Sequence, residues 1–454
     1  MSIAASGSVH SITSLPPADI VDRSFLVFSA GNGHFRPRRL TSFSSTGSMI
    51  PTATQRADIG CFQAPDQRLD TLIAPGQVRM MRSNIQASQH IARLLPLDQA
   101  LAALDAVTPI PSRDIATQSA YGRILAADAV GSMRPTQALA LRDGWAMRSD
   151  LTLDVTSYAP TLLASPPLRL DAGDPLPADS DAVAALDSVI VREDTAEVMA
   201  TVVPCEGVLL PGIDVAAGRV LRHKGERLSE TDIAALCSAG LAQVSIREPR
   251  ITVFRAQRFG AVADAAAAFV ARAVAGAGGV SPPECQPQPS GAESMLQSPD
   301  FDAAIVIGGT GTGRHDTSVD TLRRIGRVEF HGAGLTPGET LAFGWIDKKP
   351  VLLLPGPLDA VLAGWLIFGR RLVAKLCGAT QGQDEACEFR LSRKVTSTIG
   401  MAEIMPVRVS ADGVEPLASG YLPLSSLVSD GWILVPPERE GYAAGSPVMV
   451  RPWP

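Results

Sequence analysis

Apolar residues recur every three or four positions through "LLPLDQALAALDAVTPIP" (94–111), and this spacing predicts a helix as the first ordered element. From about 120 to 220 the pattern breaks into short strand-like runs and turns, as in "TLLASPPLRLDAGDPLPADSDAVAALDSVIV". Residues 221–248 predict a second helix with Ser229 as N-cap, Asp232 three residues on and Gly240 at its end. This helix is expected to pack against the first. Stretches 93–120 and 221–248 are therefore read as a helical linker domain around a small β-rich domain at 121–220. From 249 to 380 nearly continuous apolar runs ("RITVFRA", "FDAAIVIGG", "PVLLLPG") alternate with helical segments. Strands without a polar face point to a parallel sheet covered on both sides. Residues 381–454 return to short strands, a second small β domain. The fold class expected is multidomain α/β plus β, with a central parallel-sheet α/β domain.

Composition adjusts this picture in few places. A chain of 454 residues with 46% hydrophobic and 19% charged residues is globular and long enough for roughly three domains. Residues 1–92 lack apolar periodicity and read as a low-order extension. They have no continuous secretory core, Asp19 and Asp22 argue against a transit peptide, and Met80 or Met81 is an alternative start. The net charge of -6 comes without a basic stripe, which disfavours nucleic acid as a partner. The longest apolar run, "VLAGWLIFG", is too short to cross a bilayer. Six scattered cysteines form no CxxC pair, and a reducing cytoplasm is the expected location.

The chemistry is sought in three turns of small residues. "IVIGGTGTGRHDTSVDTLRRIG" runs from a strand through Gly308, Gly309, Thr310, Gly311, Thr312 and Gly313 into a helix entered near Asp316 or Thr317. Glycine lets backbone N–H groups wrap an oxyanion, and the threonines add hydroxyl donors. Without GK[ST] it is no Walker A loop. Pro355-Gly356-Pro357, with Asp359 behind it, repeats the arrangement, and the Pro337-Gly338 turn offers a third wall. Three such loops within about fifty residues favour one shaped pocket for an anionic ligand.

"DGWAMR" (143–148), "DAGDPLPADSDAV", "PGIDVAAGRVLRHKGERLSETDIAALCSAG", "GGTGTGRHD", "VEFHGAGLTPGETLAFG" and "LLLPGPLDA" occur in the order found in the molybdopterin molybdenumtransferase family, MoeA and the E domain of gephyrin. The chain resembles that family over residues 93–454. The resemblance implies an elongated homodimer of four-domain subunits whose α/β domain binds a molybdopterin nucleotide. It also implies insertion of molybdate into adenylylated molybdopterin, with Mg²⁺ assisting and AMP released. The alternative is a catalytically degenerate molybdopterin-binding carrier or molybdoenzyme maturation partner.

Within the resemblance, Asp143 of the DGxA motif and Asp316 take the acidic roles, in catalysis and as Mg²⁺ ligands, with Asp143 supplied across the dimer. Gly308–Gly313, His315, Pro337, Gly338, Pro355, Gly356 and Asp359 take substrate-binding roles. Departures cluster at the site. The GGTGTG loop is closer to that of MogA-like adenylyltransferase domains. Ala172-Gly173-Asp174 stands where Thr-Gly-Ala is usual, Ile213 where a Glu is usual, and "FRAQRFG" replaces a Ser-Thr-Gly-Asp stretch. "TPGET" replaces a lysine-rich KPGKP loop, so Thr336 and Glu339 stand where two cations would meet an oxyanion.

Overall fold

The computed structural model describes residues 89–256, 260–282, 296, 300–380 and 386–454. The low-order extension expected for 1–92 lies outside the described residues up to position 88. So do Cys61, Cys285 and the replaced positions 257–259.

Helix α1 (Leu97–Ala102) is short, and its buried Leu97 and Ala100 sit in the core of the α/β domain. Helix α2 (Glu230–Ser238) opens on the expected cap. The Ser229 hydroxyl accepts from Asp232 N, and the Asp232 carboxylate accepts from Ser229 N in return, a closed capping box. Arg222 grips the same carboxylate with two bonds of 2.7 Å, and it helps hold Asp232 below the usual carboxylate range against the cost of burial.

α2 does not pack on α1 as expected. Its Ile233 and Leu236 join Leu125, Val244 and Ile246 on a three-stranded sheet of Arg113–Ala116, Gln243–Arg247 and Ile124–Leu125. The physical reason is supply. One six-residue helix has a single apolar stripe, and the α/β core takes it. The linker domain is therefore half sheet.

In the β-rich domain, strand Gly144–Met147 pairs with Arg169–Leu170 on one side and Ala182–Ala185 on the other. The α/β domain follows. It contains β1 (Ile251–Arg255), α3 (Ala261–Gly276), β2 (Ala303–Ile307), α4 (Ser318–Ile325), β3 (Arg327–His331), β4 (Ala342–Ile346), β5 (Lys349–Leu354) and α5 (Leu358–Gly364). The sheet order is β1-β2-β5-β4-β3. β1, β2 and β5 are parallel, with Ile307 beside Leu354, as the apolar runs predict. β4 and β3 are antiparallel, which the apolar runs do not reveal, so the sheet is mixed. The cause is local: β4 and β5 are joined by the two-residue turn Asp347-Lys348, with Asp347 at φ +52°.

Both faces of the sheet are covered. Ile305, Ile307 and Leu352 face α3, α5 and α1 in one core, while Ala304, Val306 and Leu353 face α4 in another. The parallel register of β2 and β5, with Ile307 beside Leu354, places their carboxyl ends side by side. A Cβ on Gly356 would lie 3.8 Å from the Gly308 Cα.

The C-terminal domain is built on the long strand Ala402–Ser410. Strand Leu335–Thr336 of the α/β domain joins it in parallel, Leu335 beside Ala402. One of the three turns is thereby fixed to the last domain. Among the described residues Cys205, Cys237, Cys377 and Cys387 are free thiols. Burial pushes Cys377 up to about 12, far from reactive.

Candidate functional site

The three turns converge. Gly309, Thr310 and Gly311 from the end of β2, Thr336–Thr340 before β4, and Pro355–Ala360 from the end of β5 into α5 line one cavity of about 800 Å³. Ligand pockets typically measure about 300–1,000 Å³, and a cleft beyond the carboxyl ends of parallel strands is where open α/β sheets bind ligands. Two further walls were not legible in the sequence. Val262 and Ala263 enter from the start of α3, and Gly420 and Tyr421 from a loop of the C-terminal domain.

The first loop is held in an unusual conformation. Gly308 and Gly309 follow β2 with φ +90° and +74°, two successive left-handed residues. The fully buried Thr310 shares a 2.8 Å hydroxyl contact with Thr340 of the second loop. Asp316 closes the turn by accepting from Gly313 N at 2.8 Å. In the second loop, Thr336 Oγ1 donates to Glu339 Oε1 at 2.7 Å and Gly338 N donates to Oε2 at 3.1 Å. Two of the loop's donors are thus turned onto its own carboxylate. In the third loop, Asp359 is buried. It takes Ala360 N at 2.9 Å and, across the domain boundary, Leu422 N at 3.2 Å. Pro357 holds the N-cap position without a side-chain cap bond, and the Asp359 carboxylate ties the first turn of α5 to the C-terminal domain.

Of the residues singled out in the sequence, Gly309, Thr310, Gly311, Asp316, Pro337, Gly338, Pro355, Gly356 and Asp359 line the cavity. Gly308 lies just beneath it and accepts from Ser318 Oγ at 2.8 Å. Thr312, Gly313 and His315 are exposed on the far part of the loop and do not line it. Asp143 is elsewhere, before strand Gly144–Met147, where its Oδ1 accepts from Ala172 N at 2.8 Å. A single chain does not bring Asp143 and Asp316 to one place. Among the described residues the cavity wall has three carboxylates, Asp316, Glu339 and Asp359, and no lysine or arginine.

His331, at the end of β3, is a further residue that the sequence patterns did not single out. Its Nε2 lies 2.8 Å from the Thr310 carbonyl, while Nδ1 is buried without a partner among the described residues. Burial lowers its pKa below the ordinary 6.5. The ring is therefore neutral near pH 7, with its proton on Nε2 donated to Thr310 O. The unfolded chain takes up this proton at a higher pH than the folded one. Its stabilising contribution is thus complete above pH 6.5 and is lost as pH falls toward the lowered folded value. The urea midpoint is expected to drop between about pH 7.5 and 5.5, and His331→Gln, which keeps a donor but cannot titrate, should flatten that drop. An equal slope in both proteins would place the titration elsewhere.

Three family models match the chain in succession. They are described as the MoeA N-terminal region (domain I and II) over residues 95–240, the "probable molybdopterin binding domain" over 257–375, and the MoeA C-terminal region (domain IV) over 388–453. The chain belongs to the MoeA family. A Methanocaldococcus jannaschii protein named for molybdopterin biosynthesis is 26% identical over 308 residues, 62% of this chain and 75% of the relative. The molybdopterin molybdenumtransferase of Haemophilus influenzae is 26% identical over 322 residues, 63% of this chain and 79% of that enzyme. A MoeA protein of Pyrococcus horikoshii shares the fold with a TM-score of 0.66 at 23% identity, covering 80% of this chain and 100% of that one. The cavity lies within the segment matched by the molybdopterin-binding model, apart from Gly420 and Tyr421 of the segment matched by MoeA domain IV.

Proposed function

We propose that the protein is a molybdopterin molybdenumtransferase of molybdenum cofactor biosynthesis, which inserts molybdate into adenylylated molybdopterin and releases AMP. The observation that carries this reading is the convergence of three glycine- and proline-rich turns on one cavity at the carboxyl ends of β2 and β5. Relatives bearing that enzyme's name support it. The glycine loop would hold the phosphates through backbone N–H groups, the chemistry that glycine-rich strand-to-helix turns supply. Water attacking the phosphoanhydride would free AMP, and the loop's part is to position and stabilise the charge.

Mg²⁺ belongs to the proposal as a companion of the ligand's phosphates. Among the described residues no group of three or more His, Cys, Asp or Glu is placed to hold a metal. Mg²⁺ commonly needs only one or two carboxylates plus substrate phosphates, and Asp316 on the cavity wall fits that requirement. Asp143 would serve from a second copy of the chain, in a homodimer. A cytoplasmic location and delivery of product to a molybdoenzyme complete the reading. Among the described residues no helix is long and apolar enough to cross a membrane.

A second reading, a molybdopterin carrier without insertion chemistry, is favoured by Glu339, whose carboxylate occupies the donors of the second loop. Single-turnover AMP release from adenylylated molybdopterin, with molybdate and Mg²⁺, separates the two. Molybdate-dependent release that falls by about a hundredfold or more in Asp143→Asn supports the transferase. Tight binding without release supports the carrier, and no binding sinks both.

A further inference from the structure

We infer that Gln89 is the positioning residue of the ligand loop, a side chain from the start of the described chain that fixes which way the loop's N–H groups face. The inference rests on the reading that the glycine loop holds the phosphates of a nucleotide.

Gln89 is almost fully buried and makes four hydrogen bonds, all to the loop and the helix behind it. Its Nε2 donates to the carbonyls of Gly309 at 2.6 Å and Gly311 at 2.8 Å. Its Oε1 accepts from Val319 N at 3.2 Å and Asp320 N at 3.4 Å. The latter pair belong to the first turn of α4, whose N-cap residue Thr317 makes no side-chain cap bond. A residue some 230 positions away in sequence therefore does a cap's work. The first-turn N–H groups of α4, which the strand-to-helix pattern offers to an anion, are already taken.

The donors left for a ligand are those of the loop itself. Gly309 O and Gly311 O are held by Gln89, and Thr310 O by His331, so the direction of three successive peptide groups is fixed, the outer two by Gln89. In a trans peptide the N–H is antiparallel to the C=O. The N–H groups of Thr310 and Thr312 must then face away from Gln89 and that of Gly311 away from His331, and the three make no hydrogen bond among the described residues. Thr310 and Thr312, whose N–H groups Gln89 turns the same way, are the loop donors left for an anion. The backbone around Gln89 is itself anchored. Leu95 N donates to Gly332 O at 3.0 Å, and Gly334 N donates to Leu95 O at 2.8 Å, next to His331.

Two variants test the clamp. Gln89→Glu keeps an acceptor for α4 but loses both donors and sets a carboxylate against the Gly309 and Gly311 carbonyls. Gln89→Met keeps the length and loses all four bonds. With AMP as the titrated probe, both variants should bind about tenfold or more weakly than the unaltered chain, and both should lose thermal stability, Gln89→Glu because a buried carboxylate set against carbonyl oxygens is costly. AMP affinity in Gln89→Glu equal to that of the unaltered chain overturns the inference. Failure of the unaltered chain to bind AMP would count against the proposed function instead. Hydrogen exchange of residues 308–320 in the ligand-free proteins then decides, with faster exchange in Gln89→Glu supporting the clamp and unchanged exchange removing it.

Discussion

Glu339→Gln is expected to tighten AMP binding about tenfold. Two like charges about 6 Å apart repel by roughly 3 kcal/mol at an effective dielectric near 20, and partial exposure of Glu339 about halves this. The amide is nearly isosteric, and its oxygen can still accept from Thr336 Oγ1 or Gly338 N, so the loop should keep its shape. What changes is the charge facing the ligand. Among the described residues the cavity wall carries three carboxylates and no lysine or arginine, and both oxygens of Glu339 engage donors of its own turn. Calorimetry with and without Mg²⁺ reads the outcome. Tightening in both conditions means that the carboxylate only repels. Weaker binding that appears only with Mg²⁺ would mean that Glu339 holds the ion, and the repulsion argument would fail.

Gly309→Ala is expected to cost about 2–4 kcal/mol of stability and to abolish nucleotide binding. The left-handed backbone at φ +74° costs an L-residue about 1–2 kcal/mol, and the new methyl would sit 2.2 Å from Ser318 Oγ and 3.3 Å from Ala256 Cβ. Ser318 cannot rotate away freely, because its hydroxyl is bonded to Gly308 O and its N–H to Gly309 O. Gly311→Ala is the control. Its methyl would meet Asp316 Oδ2 at 2.7 Å, but that is the end of a side chain that can shift, and Gly311 is not in the left-handed region. Urea denaturation should rank Gly309→Ala well below Gly311→Ala. Equal stabilities would show that the loop relaxes more freely than its hydrogen bonds imply.

Local patterns in the chain were legible, and long-range roles were not. The parallel strands β1, β2 and β5, the Ser229–Asp232 capping box and the three small-residue turns are local patterns, and each appears where its pattern placed it. The antiparallel pair β3 and β4 was missed because short apolar runs look alike in either direction. Gln89, His331 and Tyr421 were missed for a different reason. Nothing in their own neighbourhoods distinguishes them, and their roles arise from contacts with segments far along the chain. His315 offers the contrast. A histidine beside a glycine loop attracts a functional reading, yet it lies exposed beyond the cavity, while the half-buried histidine bonded to the loop is sixteen residues later. Asp143 keeps its motif but does not line the cavity of its own chain, which its motif alone could not reveal.

The Asp359–Leu422 bond, together with the Gly420-Tyr421 wall, has a consequence for synthesis. The glycine loop emerges from the ribosome more than a hundred residues before Tyr421, and Gln89 emerges 220 residues before Gly309. At about 5–20 residues per second, Gln89 waits on the order of ten seconds or more for the loop it clamps, and that loop waits several more for its last wall. A nascent chain is therefore without a finished pocket until nearly its whole length has been made.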